Sequence, residues 1–312
     1  MVSPAKIVLI GPSGWVGSAF LARLAHWFPM AEPPELSIFG SHARTVSTPF
    51  GDRAVEPLEA LTPARVENAH VFHFAFLGKE RLDDLSPSDY FAGNQRIDSQ
   101  VAAAVRQSEA ASLFVSSSGA AADALKDGAR NLYGLCKLMQ EDLFGAIPLR
   151  GPVVIGRIFN LGGPHINKLQ AYALSSFLLQ AADTGKVVIK ADRPVYRAFL
   201  HVYDAIDLAL GSGLRLAGPQ TRRLDLCGAE VLEMGQIAER VLSVFGLGPD
   251  RVERPVFASF TPNAYLGDPT ETHSLALELG LRLRPFQEQV LDTYHDMLTR
   301  RAEAAMERQG SN

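Results

Sequence analysis

The sequence predicts an α/β chain: a doubly wound parallel sheet with a smaller, interwoven C-terminal lobe. Three observations carry that prediction. Strand and helix patterns alternate as far as Asn160. The strands are short continuous apolar runs, which implies helices on both sheet faces and hence parallel pairing. A glycine-rich turn joins the first strand to the first helix. Right-handed crossovers then make the sheet doubly wound.

The elements follow in order. Ile7–Ile10 is a β-branched, apolar run that stops at Gly11, and Val16–Phe28 carries apolar residues at helical spacing (Val16, Phe20, Leu21, Leu24, Phe28). Leu36–Phe39 and Val71–Phe76 are strand candidates, and Ile97–Arg106 is an Ala-rich helix. Leu113–Ser116 is a strand, Tyr133–Phe144 a helix and Val153–Ile158 a strand. Beyond Asn160 the alternation loosens. Gly162-Gly163-Pro164 marks a loop, followed by helix Leu169–Ala182 and strand Val187–Lys190. Val202–Leu210 reads as a helix, Arg223–Leu226 as a strand and Val231–Phe245 as a helix. Arg251–Phe260 is extended, and helices near Ser274–Leu279 and Pro285–Arg301 close the chain. Ala302–Asn312 is mostly polar and expected to fray. No repeat or low-complexity linker separates the lobes. Residues 1–161 with about 192–230 are expected to form a dinucleotide-binding Rossmann domain, and 162–191 with 231–312 most of a substrate lobe.

Composition narrows the function. The 312 residues are 47% hydrophobic and 21% charged, which excludes a disordered chain. Lys+Arg 30 against Asp+Glu 34 leaves no basic surplus, so nothing supports nucleic-acid binding. Two cysteines, Cys136 and Cys227, exclude a disulfide framework, and no Cys/His spacing suggests a metal. Both thiols are expected in the core. No run approaches about eighteen apolar residues, and Met1–Lys6 leaves no room for a leader before the first strand. The expectation is a soluble cytoplasmic protein with no membrane partner.

Gly11-Pro12-Ser13-Gly14-Trp15-Val16-Gly17 is a GxxGxxG turn between strand and helix. Such glycines let backbone N–H groups approach a pyrophosphate at a helix N-terminus. The same spacing also suits a tight turn with no ligand; its place at the first strand–helix junction favours a dinucleotide. The end of the second strand then bears on which one. Asp or Glu there accepts from a ribose 2′-OH in NAD-selective folds. Here Ser41, His42 and Arg44 follow Gly40 with no acid. Arg44 suits a 2′-phosphate, which favours NADP over NAD, unless it is only a solvated loop charge.

Ser116-Ser117-Ser118 ends the Leu113 strand, and Tyr133 and Lys137 open the next helix. Residues i and i+4 share a helix face. An ammonium near a phenol stabilises the phenolate, which can then exchange a proton with a sugar hydroxyl or carbonyl. Ser118 can hydrogen-bond the same oxygen. A Tyr-x-x-x-Lys pair alone is also what a surface tyrosine beside a surface lysine looks like. The order of glycine turn, serine-ended strand and Tyr-x-x-x-Lys makes the case.

These motifs resemble the extended short-chain dehydrogenase/reductase family, in its nucleotide-sugar epimerase/dehydratase branch, over nearly the whole chain. Phe72-His73-Phe74-Ala75 resembles the family's strand end beside the cofactor, which brings in Phe74, Ala75 and Phe76. Tyr90–Asn94 resembles the segment with its helix asparagine. Gly156–Pro164 resembles the stretch whose asparagine, here Asn160, contacts substrate. Arg197–Asp204 resembles the stretch whose arginine contacts a nucleotide diphosphate, and Leu266–Pro269 is similar to a late Arg-x-Gly-Asp element.

The resemblance implies that Ser118, Tyr133 and Lys137 are catalytic. It implies that Gly11, Ser13, Gly14, Trp15, Val16, Gly17, Ser41, His42, Arg44, Phe74, Ala75, Phe76, Asn94, Ser116, Tyr133 and Lys137 surround the cofactor, with Lys137 also holding a ribose. Ser118, Asn160, Lys168 and Arg197 are the substrate-binding candidates, and His165 joins Lys168 as a possible phosphate contact or a plain loop residue. A homodimer would pair the Ile97–Arg106 and Tyr133–Phe144 helices. The family's 4,6-dehydratases carry acids beside the catalytic serine position, whereas this chain has Ser118-Gly119-Ala120. The late arginine is replaced by Tyr265, and the span from Ser118 to Tyr133 is short. The resulting expectation is an NADPH-dependent 4-ketoreductase acting on a nucleotide-diphosphate sugar. The rivals are a 4-epimerase with tightly held NAD and a non-catalytic dinucleotide-binding protein.

Overall fold

The computed structural model describes residues 5–127 and 131–310. Met1–Pro4, the end of the segment before Tyr133 (residues 128–130), and Ser311 and Asn312 lie outside the described residues. In chain order the elements are β1 (Lys6–Ile10), α1 (Trp15–Trp27), β2 (Glu35–Gly40), β3 (Arg44–Thr48), β4 (Gly51–Pro57), α2 (Pro63–Val66), β5 (His70–His73), α3 (Pro87–Arg106), β6 (Ser112–Ser118), α4 (Gly119–Asp127), α5 (Leu132–Gly145) and β7 (Pro152–Ile158). Then come β8 (Asn160–Gly162), α6 (Ala173–Thr184), β9 (Val187–Val188), β10 (Val195–His201), α7 (Val202–Arg215), β11 (Gln220–Leu226), β12 (Val231–Glu233), α8 (Met234–Val244), β13 (Val252–Glu253), β14 (Asn263–Tyr265), α9 (Pro269–Glu278) and α10 (Phe286–Gly310).

The chain divides into two compact units. The first holds the residues up to Ile158 with Ala205–Leu226 and Glu271–Leu281. Its sheet runs β11-β7-β6-β5-β1-β2-β4-β3. Every neighbour pair is parallel except β3 with β4. The predicted doubly wound sheet is therefore present, with the order reversing beside β1, where the glycine turn lies. Successive side chains on a strand point to opposite faces. Val8 and Ile10 join Val71, Val115 and Ile155 against Val101, Val105 and Phe144 of α3 and α5. Phe72, one residue on from Val71, stacks on Phe20 of α1 at 4.8 Å.

The β3–β4 hairpin is not among the predicted strands. Its residues alternate with polar ones and never form an apolar run, and Gly51 closes the turn at φ +89°. Helix α4 is also new, filling Gly119–Asp127 within the short span from Ser118 to Tyr133.

The second unit comprises Phe159–Asp204, Cys227–Thr270 and the residues from Arg282. Strand β10 is central to its small sheet, antiparallel to β12 and parallel to β14 and β8. This division differs from the expected one. Val195–His201 pairs within the second unit, and Glu271–Leu281 packs in the first. Leu174 and Phe177 (α6), Ile237 and Val241 (α8) and Phe286 and Val290 (α10) form the core. Helix α8 starts at Met234 and not Val231, because Glu233 and Gln236 make a reciprocal capping box there. Helix α10 continues to Gly310, past the point where fraying was expected. Cys136 and Cys227 are both buried, and neither is in a disulfide. Among the described residues, no helix is long and apolar enough to cross a membrane.

In the first unit, α1 is fixed by one carboxylate. Asp207 of α7 accepts from Arg23 Nε at 2.9 Å and Nη2 at 2.7 Å, and from Trp27 Nε1 at 2.7 Å. Removing one partner of such a buried pair leaves the other charge uncompensated. Asp207→Ala is expected to destabilise the protein by about 3 kcal/mol, read from urea unfolding. A change under about 0.5 kcal/mol would put the pair in the class of weak surface bridges.

Candidate active site

The glycine turn is built by steric exclusion. Gly11 sits at φ +92°, and a Cβ there would lie 2.5 Å from Ala75 N. A Cβ on Gly17 would lie 2.1 Å from Gly11 O. These two glycines are needed by the fold itself, since backbone atoms occupy the space. Gly14 is different: it is exposed, and nothing lies within 4 Å of where its Cβ would be. It is the N-cap of α1 and offers no side chain to cap the helix. Ser13 beside it is exposed, Val16 half-buried and Trp15 buried. An open cradle at an uncapped helix N-terminus fits a dinucleotide pyrophosphate.

At the neighbouring strand ends, Ser41 and His42 are exposed, with Ser41 Oγ 3.0 Å from His42 Nδ1. Arg44 is half-buried and opens β3 opposite Val55. Phe74, Ala75 and Phe76 follow β5 and are partly exposed. Asn94 of α3 bonds to Leu77, which follows this segment. It is fully buried, accepts from Leu77 N at 2.8 Å and donates to Tyr90 O at 3.2 Å. Tyr90 Oη donates to Leu77 O at 2.6 Å. Asn94 and Tyr90 together fix the end of the Phe74–Leu77 segment.

Helix α5 carries the reacting candidates against the end of β6. Asn131 caps it by accepting from Gly134 N at 3.0 Å. Gly134 allows close approach to α4, because a Cβ would meet Ala120 O at 2.4 Å. Lys137 is 4% exposed. Its Nζ donates to Ser116 O at 2.8 Å and to Gln140 Oε1 at 3.0 Å, and lies 3.7 Å from the centre of the Phe76 ring. The same ring meets Tyr133 edge-on at 5.9 Å. Ser118 Oγ accepts from Ala120 N at 3.2 Å. Burial pushes the Lys137 ammonium down to about 7, against the opposing pull of Asp98 and Glu141. Ser118, Tyr133 and Lys137 therefore belong to one unit and two adjoining elements.

Sequence reasoning missed what holds α5 down. Glu141, fully buried, accepts a bidentate pair of hydrogen bonds from Arg157 (2.9 and 2.8 Å) and a further one from Ser117 Oγ at 2.6 Å. Gln140 Nε2 donates to Asp98 Oδ1 at 2.8 Å, and His73 Nε2 lies 3.1 Å from the same oxygen. The available signal was spacing: Gln140 and Glu141 continue the face that Tyr133 and Lys137 begin.

The remaining candidates lie in the second unit. Asn160 donates its amide to Ala198 O at 3.4 Å and Tyr265 O at 3.3 Å, tying β8, β10 and β14 together. Arg197 is half-buried, and its acceptors are carbonyl and amide oxygens of Tyr196 and Asn263. Burial lowers its affinity for the proton. His165 has turned inward at φ +68°, with Nε2 2.9 Å from Tyr203 Oη. Lys168 is exposed and, with Arg301, Asn167 and Gln170, lines a cleft of ≈ 550 Å³.

Residues 7–211 match the model of the NAD dependent epimerase/dehydratase family. The chain belongs to this enzyme family. A comparison with curated proteins found no match. Solved structures of similar fold include the UDP-N-acetylglucosamine 4-epimerase of Methanobrevibacter ruminantium M1 in complex with UDP-N-acetylmuramic acid. Its TM-score is 0.73 at 15% identity, covering 96% of this chain and 100% of that one. MoeE5 in complex with UDP-glucose and NAD gives 0.68 at 19%, covering 96% and 99%. DesIV, the dTDP-glucose 4,6-dehydratase of Streptomyces venezuelae with NAD and TYD bound, gives 0.67 at 16%, covering 95% and 98%. At these identities the shared property is the fold.

The glycine turn of this epimerase/dehydratase family member separates two effects. Gly14→Ala is expected to leave the melting temperature unchanged and to weaken NAD binding by at least about tenfold in a fluorescence titration. Gly17→Ala is expected to lose the folded protein. Equal NAD affinity in wild type and a folded Gly14→Ala protein would mean the cradle is not the pyrophosphate site.

Proposed function

We propose that the chain is a nucleotide-diphosphate-sugar 4-epimerase that works with bound NAD. The observation that carries this is the Lys137 ammonium, buried against Phe76 and Ser116 O on the helix face it shares with Tyr133. Little water screens a charge there, so it stabilises a phenolate strongly. Tyr133 takes the proton from the sugar 4-hydroxyl as the C4 hydrogen leaves, and returns it to the same oxygen when that hydrogen is restored on the opposite face of C4. Ser118 Oγ orients the same oxygen. NAD, when bound, supplies a reversible acceptor for the hydrogen and electron pair of the sugar carbon. Gly14 and the N-terminus of α1 hold its pyrophosphate, and Lys137 retains an N–H for a ribose oxygen, since an ammonium has three donors and Ser116 O and Gln140 Oε1 use two.

Several features support this class. The family is described as NAD dependent, and similar structures include 4-epimerases of UDP sugars. Arg197, in the second unit, is the candidate for the diphosphate because its bonds engage neutral oxygens only. Asn160 and Lys168 are proposed to assist there. A 4,6-dehydratase is disfavoured because Ser118 is followed by Gly119 and Ala120 and not by acids. A second reading, the NADPH-dependent 4-ketoreductase, rests on Arg44 and the lack of an acid at Ser41–Ala43. The proposed homodimer uses α3 and α5, where Phe91 and Met139 are exposed.

The purified protein is expected to release NAD on denaturation and to interconvert C4 epimers of a nucleotide-diphosphate hexose with no net nicotinamide absorbance change. Tyr133→Phe is expected to lower turnover about 10²–10⁴-fold with the fold intact. Stoichiometric consumption of NADPH by a 4-keto nucleotide sugar would establish the ketoreductase instead. Undiminished turnover in Tyr133→Phe would remove Tyr133 as the proton carrier.

A further inference from the structure

A buried polar chain runs from Lys137 away from the reacting end of the site. Lys137 Nζ donates to Gln140 Oε1 at 3.0 Å, Gln140 Nε2 donates to Asp98 Oδ1 at 2.8 Å, and His73 Nε2 lies 3.1 Å from that oxygen. Each of these four side chains is at most 4% exposed. The chain joins α5, α3 and β5 through residues 42 positions apart in sequence.

The geometry points to Asp98 and Gln140 as positioning residues that keep Lys137 an ammonium beside Tyr133. The inference rests on the roles given to Tyr133 and Lys137 above. An ammonium can only donate and a carboxylate can only accept. Between them, Gln140 has one permitted orientation, with its carbonyl toward Lys137 and its NH₂ toward Asp98. The amide thus links a cation to an anion across the helix interface.

The other charged and titratable groups around Lys137 leave this link as the balance for Asp98. On α5, Glu141 is matched by the bidentate Arg157 of β7, and Cys136 and Tyr133 are the remaining titratable groups. On α3, the Tyr90 hydroxyl is bonded to Leu77 O. From β6, Ser116 contributes a carbonyl. From β5, His73 faces Asp98 through Nε2, and its Nδ1 is buried with no hydrogen-bond partner. No lysine or arginine pairs with Asp98 directly among the described residues. Burial drives Lys137 toward deprotonation, and Asp98 is the leading opposing influence.

Stability does not explain the network. His73 Nδ1 and Asp98 Oδ2 are both buried without partners. A partly satisfied buried network is less favourable than well-packed apolar residues of the same volume. What it supplies is a fixed charge one amide away from the catalytic lysine.

The test is a ¹³C NMR titration of the lysine side chains in the full chain without substrate, with Lys137 assigned by Lys137→Met. Asp98→Asn keeps the size and both hydrogen-bond partners but removes the charge. It is expected to lower the Lys137 midpoint by about one pH unit. The alkaline limb of kcat/KM is expected to move the same way, about tenfold lower activity on that limb. The double variant Asp98→Asn/Gln140→Glu moves a carboxylate one step nearer and is expected to bring the midpoint back to the wild-type value or above. Gln140→Leu, which cuts the link and leaves Asp98 and His73 in place, is expected to lower it too and serves if Asp98→Asn does not fold. An unchanged midpoint in a folded Asp98→Asn or Gln140→Leu protein overturns the inference, as does a folded double variant without recovery. The titration needs no sugar nucleotide, so failure of the epimerase reading would show in turnover alone.

Discussion

The first unit is organised around one difficulty, a positive charge that has to sit inside the protein. An ammonium taken out of water needs other oxygens and ring faces in its place. Lys137 finds a carbonyl at the end of β6, an amide one turn along its own helix and the face of Phe76. Each supplier constrains something else. The carbonyl fixes α5 relative to β6. The ring fixes the segment after β5, whose far end Asn94 and Tyr90 hold. Helix α5 can come this close only because Gly134 lets it approach α4 and because Arg157 and Ser117 meet the acid next in line, Glu141. Reactivity and packing are thus one problem here. The groups that hold the charge in place are also the walls of the proposed site.

At the glycine turn the two problems separate. Gly11 and Gly17 are pressed against backbone and answer to the fold, whereas Gly14 faces open space and answers to whatever binds there. Three glycines that look equivalent as letters have different physical reasons for being glycine.

Much of this was legible in the sequence, and for identifiable reasons. Ile7–Ile10, Leu113–Ser116 and Val153–Ile158 announce themselves because buried parallel strands are uniformly apolar. The order of glycine turn, serine-ended strand and Tyr-x-x-x-Lys located Ser118, Tyr133 and Lys137 on adjoining elements. The β3–β4 hairpin was not legible, because an edge hairpin with half its residues in water carries no apolar run. Strand β12 was absorbed into the following helix, since only the reciprocal Glu233–Gln236 cap marks where that helix begins. Asp98 sat in a stretch read as a close-packing helix face. Its bond to Gln140 depends on how two helices lie against β5 and β6, which no local pattern encodes. Asn160 and Arg197 were found by resemblance, yet their bonds to Tyr265 O and Asn263 tie them to strands whose pairing the sequence left open.

The hairpin that escaped prediction settles how the large sheet ends. A parallel sheet normally grows by long crossovers through a helix, and its last strand stays open to a further neighbour. Here the chain doubles back within a few residues, so the final strand, β3, runs against the rest. Arg44, Thr45, Ser47 and Thr48 line it, Ser47 is bonded across to Asp52, and Thr48 closes on Gly51. A short, polar, antiparallel border is a poor template for a strand from another molecule. The residues of this border strand therefore also bear on how crowded copies of this protein meet, favouring dispersal over sheet-to-sheet aggregation.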